Sequence, residues 1–412
     1  MDITLTSHRL DAVPIQRIVS QMSATNDYRP TVLQVLHTLD VGGAEVLAAR
    51  LVRRLQDRFR FVFACLDGLG LLGQELREEG FVVEVLNRHP GIDWGCVRQL
   101  ARVAQKHRAD LIQAHQYTPF FYARAPGWLG RRLPVVFTEH GRVHPDLPSR
   151  KRMVFNRLFL RPCDHVVAVG EAVKRALIAN EGIAEARVQV IYNGVRLADF
   201  EDTSVSRSAV RKELGLDKNA QVAIQVARLD YLKDHLTALR TARRIKEVRP
   251  DFRLLLVGEG PERAKIEQEI LTLGLQDTVR LLGLRTDVQR LLSAADVFLL
   301  TSISEGIPVT LIEAMSACLP VVSTDVGGVS EVVTHGKTGW LAPAADDALL
   351  AFHMLDIFKN PDSAVALGRT GEARARQLFS EQQMHAAYAE MFTNMLQRGV
   401  RHRERHYEQA AV

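Results

Sequence analysis

The pattern that most restricts the fold of this 412-residue chain is an alternation of short apolar runs with amphipathic segments. From residue 31 onward, runs rich in Val, Ile, Leu and Phe are separated by stretches with helical periodicity. Strands that alternate with helices in this way form βαβ units, in which the strands are parallel and buried. The first series of predicted strands covers 31–37, 59–66, 81–86, 109–115, 133–140, 164–169 and 187–193.

A polar stretch over residues 196–219 interrupts this alternation, which then resumes. We expect two doubly wound α/β domains, because a chain of this length holds about two domains of ~150 residues. Further strands are predicted at 220–230, 252–260, 278–283, 295–302 and 319–325, with only helical pattern after 341. The predicted organisation is an N-terminal arm (1–30), a first domain (31–195), a second domain (196–375), a last helix (376–398) and a charged tail (399–412).

The composition is that of an ordinary globular protein, with 47% hydrophobic and 25% charged residues. No apolar run approaches the ~18 residues that a membrane-spanning helix needs, and the first residues lack the apolar core of a secretory signal. The four cysteines lie far apart without CxxC spacing. We therefore expect buried, reduced thiols in a cytoplasmic protein, with neither a disulfide framework nor a zinc site.

The net charge of +5 is located in the first half of the chain. Residues 1–195 contain 26 Lys and Arg against 19 Asp and Glu, whereas the remainder contains 27 against 29. A basic half suits an anionic substrate, anionic lipid or nucleic acid. We expect no nucleic acid partner, because no basic stripe interleaved with aromatic residues and no recognition module accompanies the charge.

Within the basic half, residues 142–161 mix cations with apolar side chains. From residue 150 on, this segment has the pattern of a basic helix with an apolar side, which can lie at a membrane interface. The segment predicts peripheral contact with an anionic membrane at its cytoplasmic face. The alternative is a helix whose apolar face covers the sheet and whose basic face meets water. The cations are Arg142, Arg150, Lys151, Arg152, Arg157 and Arg161.

The sharpest motif is SEGIPVTLIEAMS at residues 304–316. Glu305 follows a predicted strand, Pro308 suits the first turn of a helix, and Glu313 lies inside that helix. The free N–H groups of such a helix start bind anions, and the two carboxylates can accept hydrogen bonds from sugar or ribose hydroxyls. The alternative is a solvated helix residue at 313 and a negative capping residue at 305.

Two cations, Arg228 and Lys233, follow the first predicted strand of the second domain around a short turn. A planar guanidinium and a compact ammonium together suit a diphosphate, although surface solubility is their more usual role. Farther on, Gly258 and Gly260 end a strand but fail the dinucleotide fingerprint, because Arg263 occupies the third glycine position. They form either a tight turn into a helix or a backbone loop beside a nucleotide.

The first domain offers a smaller set of candidates, again directly after predicted strands. Gly42 and Gly43 allow close approach of the backbone at a helix start. His140 follows one strand and His115 another. Two histidines at strand ends that face one cleft indicate chemistry, more strongly for His140. The glycine-rich TDVGGVSE at 324–331 is interpreted as mainly structural.

Together these motifs resemble those of the family 4 (group 1) retaining glycosyltransferases. Their GT-B fold consists of two Rossmann-like domains that face a deep cleft. The resemblance covers about residues 31–395, and QVLHTLDVGGAE and FTEHGR in the first half are similar to enzymes of exopolysaccharide assembly. The matching residues are Gly42-Gly43, His140, Asn193-Gly194-Val195, Arg228, Lys233, Gly258-Glu259-Gly260-Pro261, Glu305 and Glu313.

This resemblance implies transfer of a sugar from a nucleotide-diphosphate sugar to a glycan or lipid-linked acceptor, with retention of anomeric configuration and without a metal. It also implies that the last helix crosses back to the first domain. For the nucleotide, it implies that Arg228 and Lys233 bind the diphosphate, that Gly42 and Gly43 contact the phosphates, that Glu313 binds the ribose, that Gly258 and Gly260 lie beside the nucleotide, and that Gly283 to Arg285 lie beside the base. For the sugar, it implies that His140 lies near the reacting carbon and that Glu305 holds the donor sugar together with the backbone of Gly306, Ile307, Pro308 and Val309.

One position departs from the family pattern, because Ile307 stands where many members have an aromatic residue. We expect this change to alter the sugar pocket while leaving the backbone amides in place. Two other functions are compatible with the same scaffold, a non-catalytic binding protein and a nucleotide-sugar epimerase of the GT-B fold. The full set of charged donor-site residues favours the transferase.

Overall fold

The computed structural model describes residues 29–125, 133–141, 148–200 and 206–410. The first domain contains a seven-stranded parallel sheet of order β3-β2-β1-β4-β5-β6-β7. Its strands are β1 (Thr31–Leu36), β2 (Arg60–Cys65), β3 (Val82–Val85), β4 (Leu111–His115), β5 (Val135–Glu139), β6 (His165–Ala168) and β7 (Val188–Val190).

The second domain contains a six-stranded parallel sheet of order β10-β9-β8-β11-β12-β13. In both sheets the strand order reverses beside the first strand, which confirms the predicted pair of doubly wound domains. The strands are β8 (Val222–Val226), β9 (Arg253–Val257), β10 (Val279–Leu281), β11 (Val297–Leu300), β12 (Val321–Thr324) and β13 (Gly339–Ala342).

Helices connect the strands and cover the faces of both sheets. In the first domain they are α1 (Gly43–Leu55), α2 (Leu71–Glu78), α3 (Trp94–Lys106), α4 (Tyr117–Arg124), α5 (Arg150–Phe159) and α6 (Glu171–Glu181). The second domain and the crossing contribute α7 (Arg207–Glu213), α8 (His235–Val248), α9 (Arg263–Thr272), α10 (Val288–Leu292), α11 (Val309–Ser316), α12 (Val329–Val332), α13 (Asp347–Lys359), α14 (Pro361–Leu378) and α15 (Glu381–Ala410).

Each sheet is buried on both faces, as the continuous apolar strands predict. In β1, Leu33 and Val35 join one apolar cluster, whereas Val32 and Leu36 join another on the opposite face. This alternation follows from the two-residue period of a strand. The cluster that contains Leu33 also contains Ile224 of β8, so apolar packing continues from one domain into the other.

The last helix, α15, returns to the first domain and completes its core. Tyr388 and Phe392 lie in the same apolar cluster as Val32, and the Phe392 ring packs edge-on against Phe59 with centroids 5.6 Å apart. At the crossing, the Val195 N–H donates to the Phe379 carbonyl (2.9 Å), so the two passages between the domains lie side by side. Helix α15 continues to Ala410, through most of the predicted charged tail.

Two details differ from the sequence-based expectations. Strand β13 lies outside the predicted strands, because four residues at a sheet edge are too short to give a periodic signal beside the long helical pattern that follows. The prediction of buried thiols is correct for Cys65 and Cys96 but wrong for Cys163 and Cys318, which are exposed. None of the helices in the described part of the chain combines the length and apolar character that a bilayer-spanning helix needs.

Candidate functional site

The two sheets face each other with their carboxyl ends, and the backbones touch where β5 meets the loop after β11. A Cβ on Gly306 would overlap the carbonyl oxygen of His140. Gly141, at φ +121°, would carry its Cβ only 3.0 Å from the Gly306 nitrogen. Both positions therefore require glycine, since nothing larger fits between the backbones. This contact brings His140 and Glu305, which sequence reasoning assigned to one site, to the same place in the cleft.

Lys233 and Glu305 form an ion pair at this point of the cleft. The Lys233 ammonium donates to Glu305 Oε1 at 2.6 Å, and the Ser302 hydroxyl donates to the same oxygen at 2.6 Å. A short 3₁₀ turn carries Lys233, and the Thr301 hydroxyl fixes that turn by donating to the Lys233 carbonyl (3.0 Å). Glu305 is 7% exposed, so the carboxylate is held rigidly while the ammonium reaches solvent.

Arg228 lies on the turn after β8 and is 71% exposed, with its Nε 4.0 Å from Asp230. The two glycines of the β9 loop support this turn. A Cβ on Gly258, at φ +144°, would overlap the Ala227 carbonyl, and one on Gly260 would overlap the Leu229 carbonyl. Both glycines therefore let the β9 loop pass directly against the backbone that presents Arg228.

Glu313 lies in the second turn of α11, which begins directly after Pro308. Burial raises the pKa of its carboxyl to about 7, and Arg50 of the first domain opposes part of this rise. No side chain in the described ranges donates a hydrogen bond to its carboxylate. Glu313 is thus a desolvated acceptor on the helix that starts directly after the Glu305 loop.

Gly42 and Gly43 open helix α1 on the first-domain side of the cleft. Gly42 is the extended residue before the helix, and a Cβ on Gly43 would meet no atom within 4 Å. Glu45, in the first turn, was missed by sequence reasoning. Burial raises the pKa of its carboxyl, while Arg228 of the second domain is one of the charges that lower it. The start of α1 therefore lies within electrostatic reach of the predicted diphosphate-binding arginine.

His140 is part of a buried polar chain that spans three strands. Its Nε2 lies 2.9 Å from Nδ1 of His115, and the two ring planes are inclined by only 15° with centroids 5.2 Å apart. Nε2 of His115 lies 2.8 Å from Oε1 of Gln34. Burial lowers the pKa of His140 to about 4 and that of His115 well below its ordinary value. Both imidazoles are therefore neutral at pH 7. Nδ1 of His140 is buried and has no hydrogen-bond partner among the described residues.

Arg285 is held within its own loop rather than extended into the cleft. Its guanidinium donates two hydrogen bonds to Asp287, both at 2.7 Å, which lowers the pKa of that carboxyl to about 2. Gly283 accepts a hydrogen bond from the Gly258 N–H (2.9 Å), so the predicted base loop borders the predicted nucleotide loop. The arrangement keeps Arg285 near that region but with its charge compensated.

Ile307 lies between the domains, and its side chain packs on glycines from both sides. Its Cδ1 lies 2.8 Å from where a Cβ on Gly170 would be and 2.9 Å from where one on Gly328 would be. The Asn193 amide donates to the Ile307 carbonyl (3.0 Å). The side chain at this position therefore shapes the domain contact, while its backbone with that of Val309 leads into α11.

Glu331, on α12, is a second residue that sequence reasoning missed. From the second domain its carboxylate accepts hydrogen bonds from the N–H groups of Glu171 (2.7 Å) and Ala172 (2.6 Å), which open α6 of the first domain, and from the Tyr192 hydroxyl (3.0 Å). The signal was present in TDVGGVSE. Its glycines lie against the backbone of the Glu305 loop, so the motif connects that loop to the first domain.

The chain is similar to several known proteins. The family model "Glycosyl transferases group 1" matches residues 206–374, and "Glycosyltransferase Family 4" matches residues 41–199. The putative colanic acid biosynthesis glycosyltransferase WcaL of Salmonella typhimurium is 31% identical, over 71% of this chain and 72% of its own length. The N-acetyl-alpha-D-glucosaminyl L-malate synthase of Bacillus anthracis is 26% identical, over 86% of this chain and 95% of its own. Anabaena HepE, solved in complex with UDP-glucose, shares the fold with a TM-score of 0.77 at 24% identity, over 88% of this chain and 99% of its own.

Proposed function

Because the chain belongs to the family 4 glycosyltransferases of group 1, we propose that it moves a sugar from a nucleotide-diphosphate sugar to a glycan or lipid-linked acceptor with retention of the anomeric configuration. The observation that carries the proposal is the convergence of Lys233, Glu305 and His140 where the two domains touch. The similarity to WcaL supports a role in polysaccharide or glycoconjugate biosynthesis.

The cations supply the charge that the reaction needs. Breaking the bond between the sugar and the phosphate leaves negative charge on the diphosphate, and preorganised cations stabilise this charge as it develops. The Lys233 ammonium has three donors, of which Glu305 takes one, so the others can bind phosphate oxygens. Arg228 adds an exposed guanidinium across the same turn. In this proposal no metal is required for the departing diphosphate.

In the proposed step, only atoms of the donor and the acceptor form or break bonds. The acceptor oxygen forms a bond to the anomeric carbon on the face from which the phosphate leaves, and the bond from that carbon to the phosphate oxygen breaks. The acceptor proton passes to the departing phosphate oxygen, so no protein base is needed. His140, which its burial keeps neutral, would contact the donor sugar by a hydrogen bond without adding charge.

Glu313 and the start of α11 would hold the rest of the donor. A half-buried carboxylate that no described side chain hydrogen-bonds is suited to accept hydrogen bonds from the two ribose hydroxyls, which would also favour its ionised form. The N–H groups at the start of α11, from Val309 onward, favour an anion in front of the helix. HepE was solved with UDP-glucose, which makes this donor the first to test.

Donor use can be tested by a thermal-shift screen with UDP-, GDP- and ADP-sugars, followed by assays of hydrolysis and transfer. A donor at 100 times its dissociation constant should raise the free energy of unfolding by about 2.7 kcal/mol. Lys233→Ala should abolish most of the shift, whereas Lys265→Ala, which removes an exposed lysine paired with Glu262, should not.

Each alternative function predicts a different result in these assays. Donor binding without hydrolysis or transfer would favour a binding protein. Conversion of the donor to its epimer would favour an epimerase. Absence of binding by every nucleotide sugar would contradict the proposal.

We also propose that the enzyme binds anionic membranes at their cytoplasmic face through α5. Val154 and Leu158 are 58% and 69% exposed on this helix. Their spacing of four residues puts them on one face, and three exposed cations flank them. A face that mixes exposed aliphatic side chains with cations suits the headgroup region of an anionic bilayer. The flanking cations are Arg150, Lys151 and Arg157.

Vesicle flotation tests this contact, with phosphatidylglycerol vesicles compared with phosphatidylcholine vesicles at low salt. We expect flotation with the anionic vesicles only, and its loss when Val154 and Leu158 are both replaced by Gln. Replacement of Val248 and Leu271, which are similarly exposed on second-domain helices, is the matched control. Equal flotation with both lipids, or none with either, would contradict the membrane contact.

A further inference from the structure

We propose that His115 and Gln34 are positioning residues that fix the tautomer of His140, so that Nδ1 of His140 is always a hydrogen-bond acceptor. The proposal rests on the proposed transferase function, in which His140 contacts the donor sugar. It concerns residues behind His140 rather than the sugar contact itself. It follows from the order of donors and acceptors along the buried chain.

The chain begins at Thr138 and crosses from β5 to β4 and β1. The Gln113 amide donates to the Thr138 hydroxyl oxygen (3.1 Å), and the Gln34 amide donates to Gln113 Oε1 (3.0 Å). With its NH₂ used in this way, Gln34 presents only its carbonyl oxygen to His115 Nε2 (2.8 Å). Nε2 of His115 must therefore carry the proton.

The alternation of hydrogen-bond donors and acceptors continues through the two imidazoles. A neutral histidine with its proton on Nε2 has a lone pair on Nδ1, so His115 accepts at that atom. Its neighbour, 2.9 Å away, is Nε2 of His140, which must therefore donate. His140 then has no proton on Nδ1, which is the buried atom that has no hydrogen-bond partner in the part of the chain that the structure describes.

The direction of the whole chain depends on the proton of Thr138. If the Thr138 hydroxyl donated to Gln113, both amides could turn over and every donor in the chain would become an acceptor. In the structure the Thr138 hydroxyl oxygen accepts from Gln113 and also contacts the phenol of Tyr388 on the last helix, whose pKa is raised by burial. Because Thr138 accepts from Gln113, its own proton is left for the Tyr388 oxygen. The contact with the crossing helix is thus compatible with the direction in which the two amides donate.

A fixed lone pair at Nδ1 has a chemical consequence for the substrate. It would accept a hydrogen bond from a sugar hydroxyl but could not donate one to a phosphate or carbonyl oxygen. The chain lies almost entirely within the core, where an amide or imidazole left unpaired is costly. If one residue of the chain exchanged its donor and acceptor roles, every other residue of the chain would have to exchange its roles as well.

Nitrogen NMR of the full chain labelled with ¹⁵N-histidine tests the tautomer without any ligand. At pH 7 we expect Nε2 of His140 to resonate as a protonated nitrogen and Nδ1 as an unprotonated one, with His140→Ala used for assignment. A protonated Nδ1, or a ring protonated at both nitrogens, would overturn the proposal. This result does not depend on whether any donor is turned over.

Kinetics test the positioning role, with UDP-glucose as the donor probe. His115→Phe keeps the ring but removes the acceptor for His140. We expect about a three- to tenfold lower kcat at unchanged donor affinity, as for loss of one buried hydrogen bond. In the His140→Ala background the same change should have no further effect. His385→Phe, a buried histidine on α15, is the matched control.

Additive effects of His115→Phe and His140→Ala would overturn the coupling between the two residues. If the wild type turns over no nucleotide sugar, the proposed function fails, and the NMR measurement alone still decides the tautomer. Gln34→Leu provides a second variant. It should leave His140 as a mixture of tautomers in the NMR spectrum, and a single unchanged tautomer would exclude a role for Gln34.

Discussion

Glu313→Gln should have opposite effects on the stability of the free protein and on its affinity for the donor. The folded protein holds the Glu313 carboxyl at a pKa of about 7, above the ordinary value of 4.5, because burial disfavours the charge. Between these two values the folded chain binds more protons than the unfolded chain. The free energy of unfolding therefore falls as the pH rises through this window, and the loss is complete above pH 7.

The magnitude follows from the size of the shift. One pKa unit corresponds to about 1.4 kcal/mol, so the ionised Glu313 carboxylate destabilises the fold by up to about 3 kcal/mol at pH 8. Glutamine has nearly the same shape and no charge. We expect Glu313→Gln to raise the free energy of unfolding by up to about 3 kcal/mol at pH 8 and to change it little at pH 4.5.

Urea unfolding followed by circular dichroism at pH 4.5 and pH 8 measures this difference. Glu390→Gln, an exposed position on α15, is the matched control. In the same preparations, donor affinity should fall about tenfold to a hundredfold, because hydrogen bonds to a charged acceptor contribute about 1.5–3 kcal/mol. A variant that is no more stable than the wild type at pH 8 would refute the claim that Glu313 is desolvated. Unchanged donor affinity would refute its role at the ribose.

Three further predictions concern the domain contact and the charge on the diphosphate. Gly306→Ala should destabilise the protein by about 1–3 kcal/mol in urea unfolding, because its Cβ would overlap the His140 carbonyl. Gly43→Ala is the control and should not destabilise the protein, because Gly43 has open space around it. Equal effects of the two substitutions would contradict this packing. Burial and Glu331 together raise the pKa of Tyr192 to about 12, so Glu331→Gln should lower that pKa. The same substitution should increase the radius of gyration in small-angle scattering. An unchanged Tyr192 titration would contradict the contact. EDTA should leave the rate of donor turnover unchanged, and a loss restored by added Mg²⁺ would contradict the proposed metal-free reaction.

Much of the fold could be predicted because it depends on local patterns. Buried parallel strands are continuously apolar, so the alternation with helices reveals two doubly wound sheets, and the strand ends then indicate which residues face the cleft. Lys233, Glu305 and His140 were found in this way. The pair of glycines at 42 and 43 was informative for the same reason, since it directly follows a strand.

The residues that sequence reasoning missed act through contacts between distant parts of the chain. Glu331 caps a helix that lies 160 positions away, and nothing in its own neighbourhood marks it as an interdomain residue. Gln34 and Gln113 lie in the middle of apolar strands, where a polar residue alone does not reveal which group it meets. Ile307 was expected to shape the sugar pocket. The sequence did not indicate that its side chain also packs between the domains, where glycines from both sides leave space.

The return of α15 to the first domain has a consequence for how the protein is made. The first domain's core includes Met384, Tyr388 and Phe392, which are translated roughly 190 residues after Val195, the end of that domain's own sequence. At about 5–20 residues per second, this interval lasts about 10–40 seconds. During that time one apolar face of the first sheet lacks its final cover while the second domain emerges. A nascent chain of this kind therefore exposes apolar surface of its first domain until the last helix has left the ribosome.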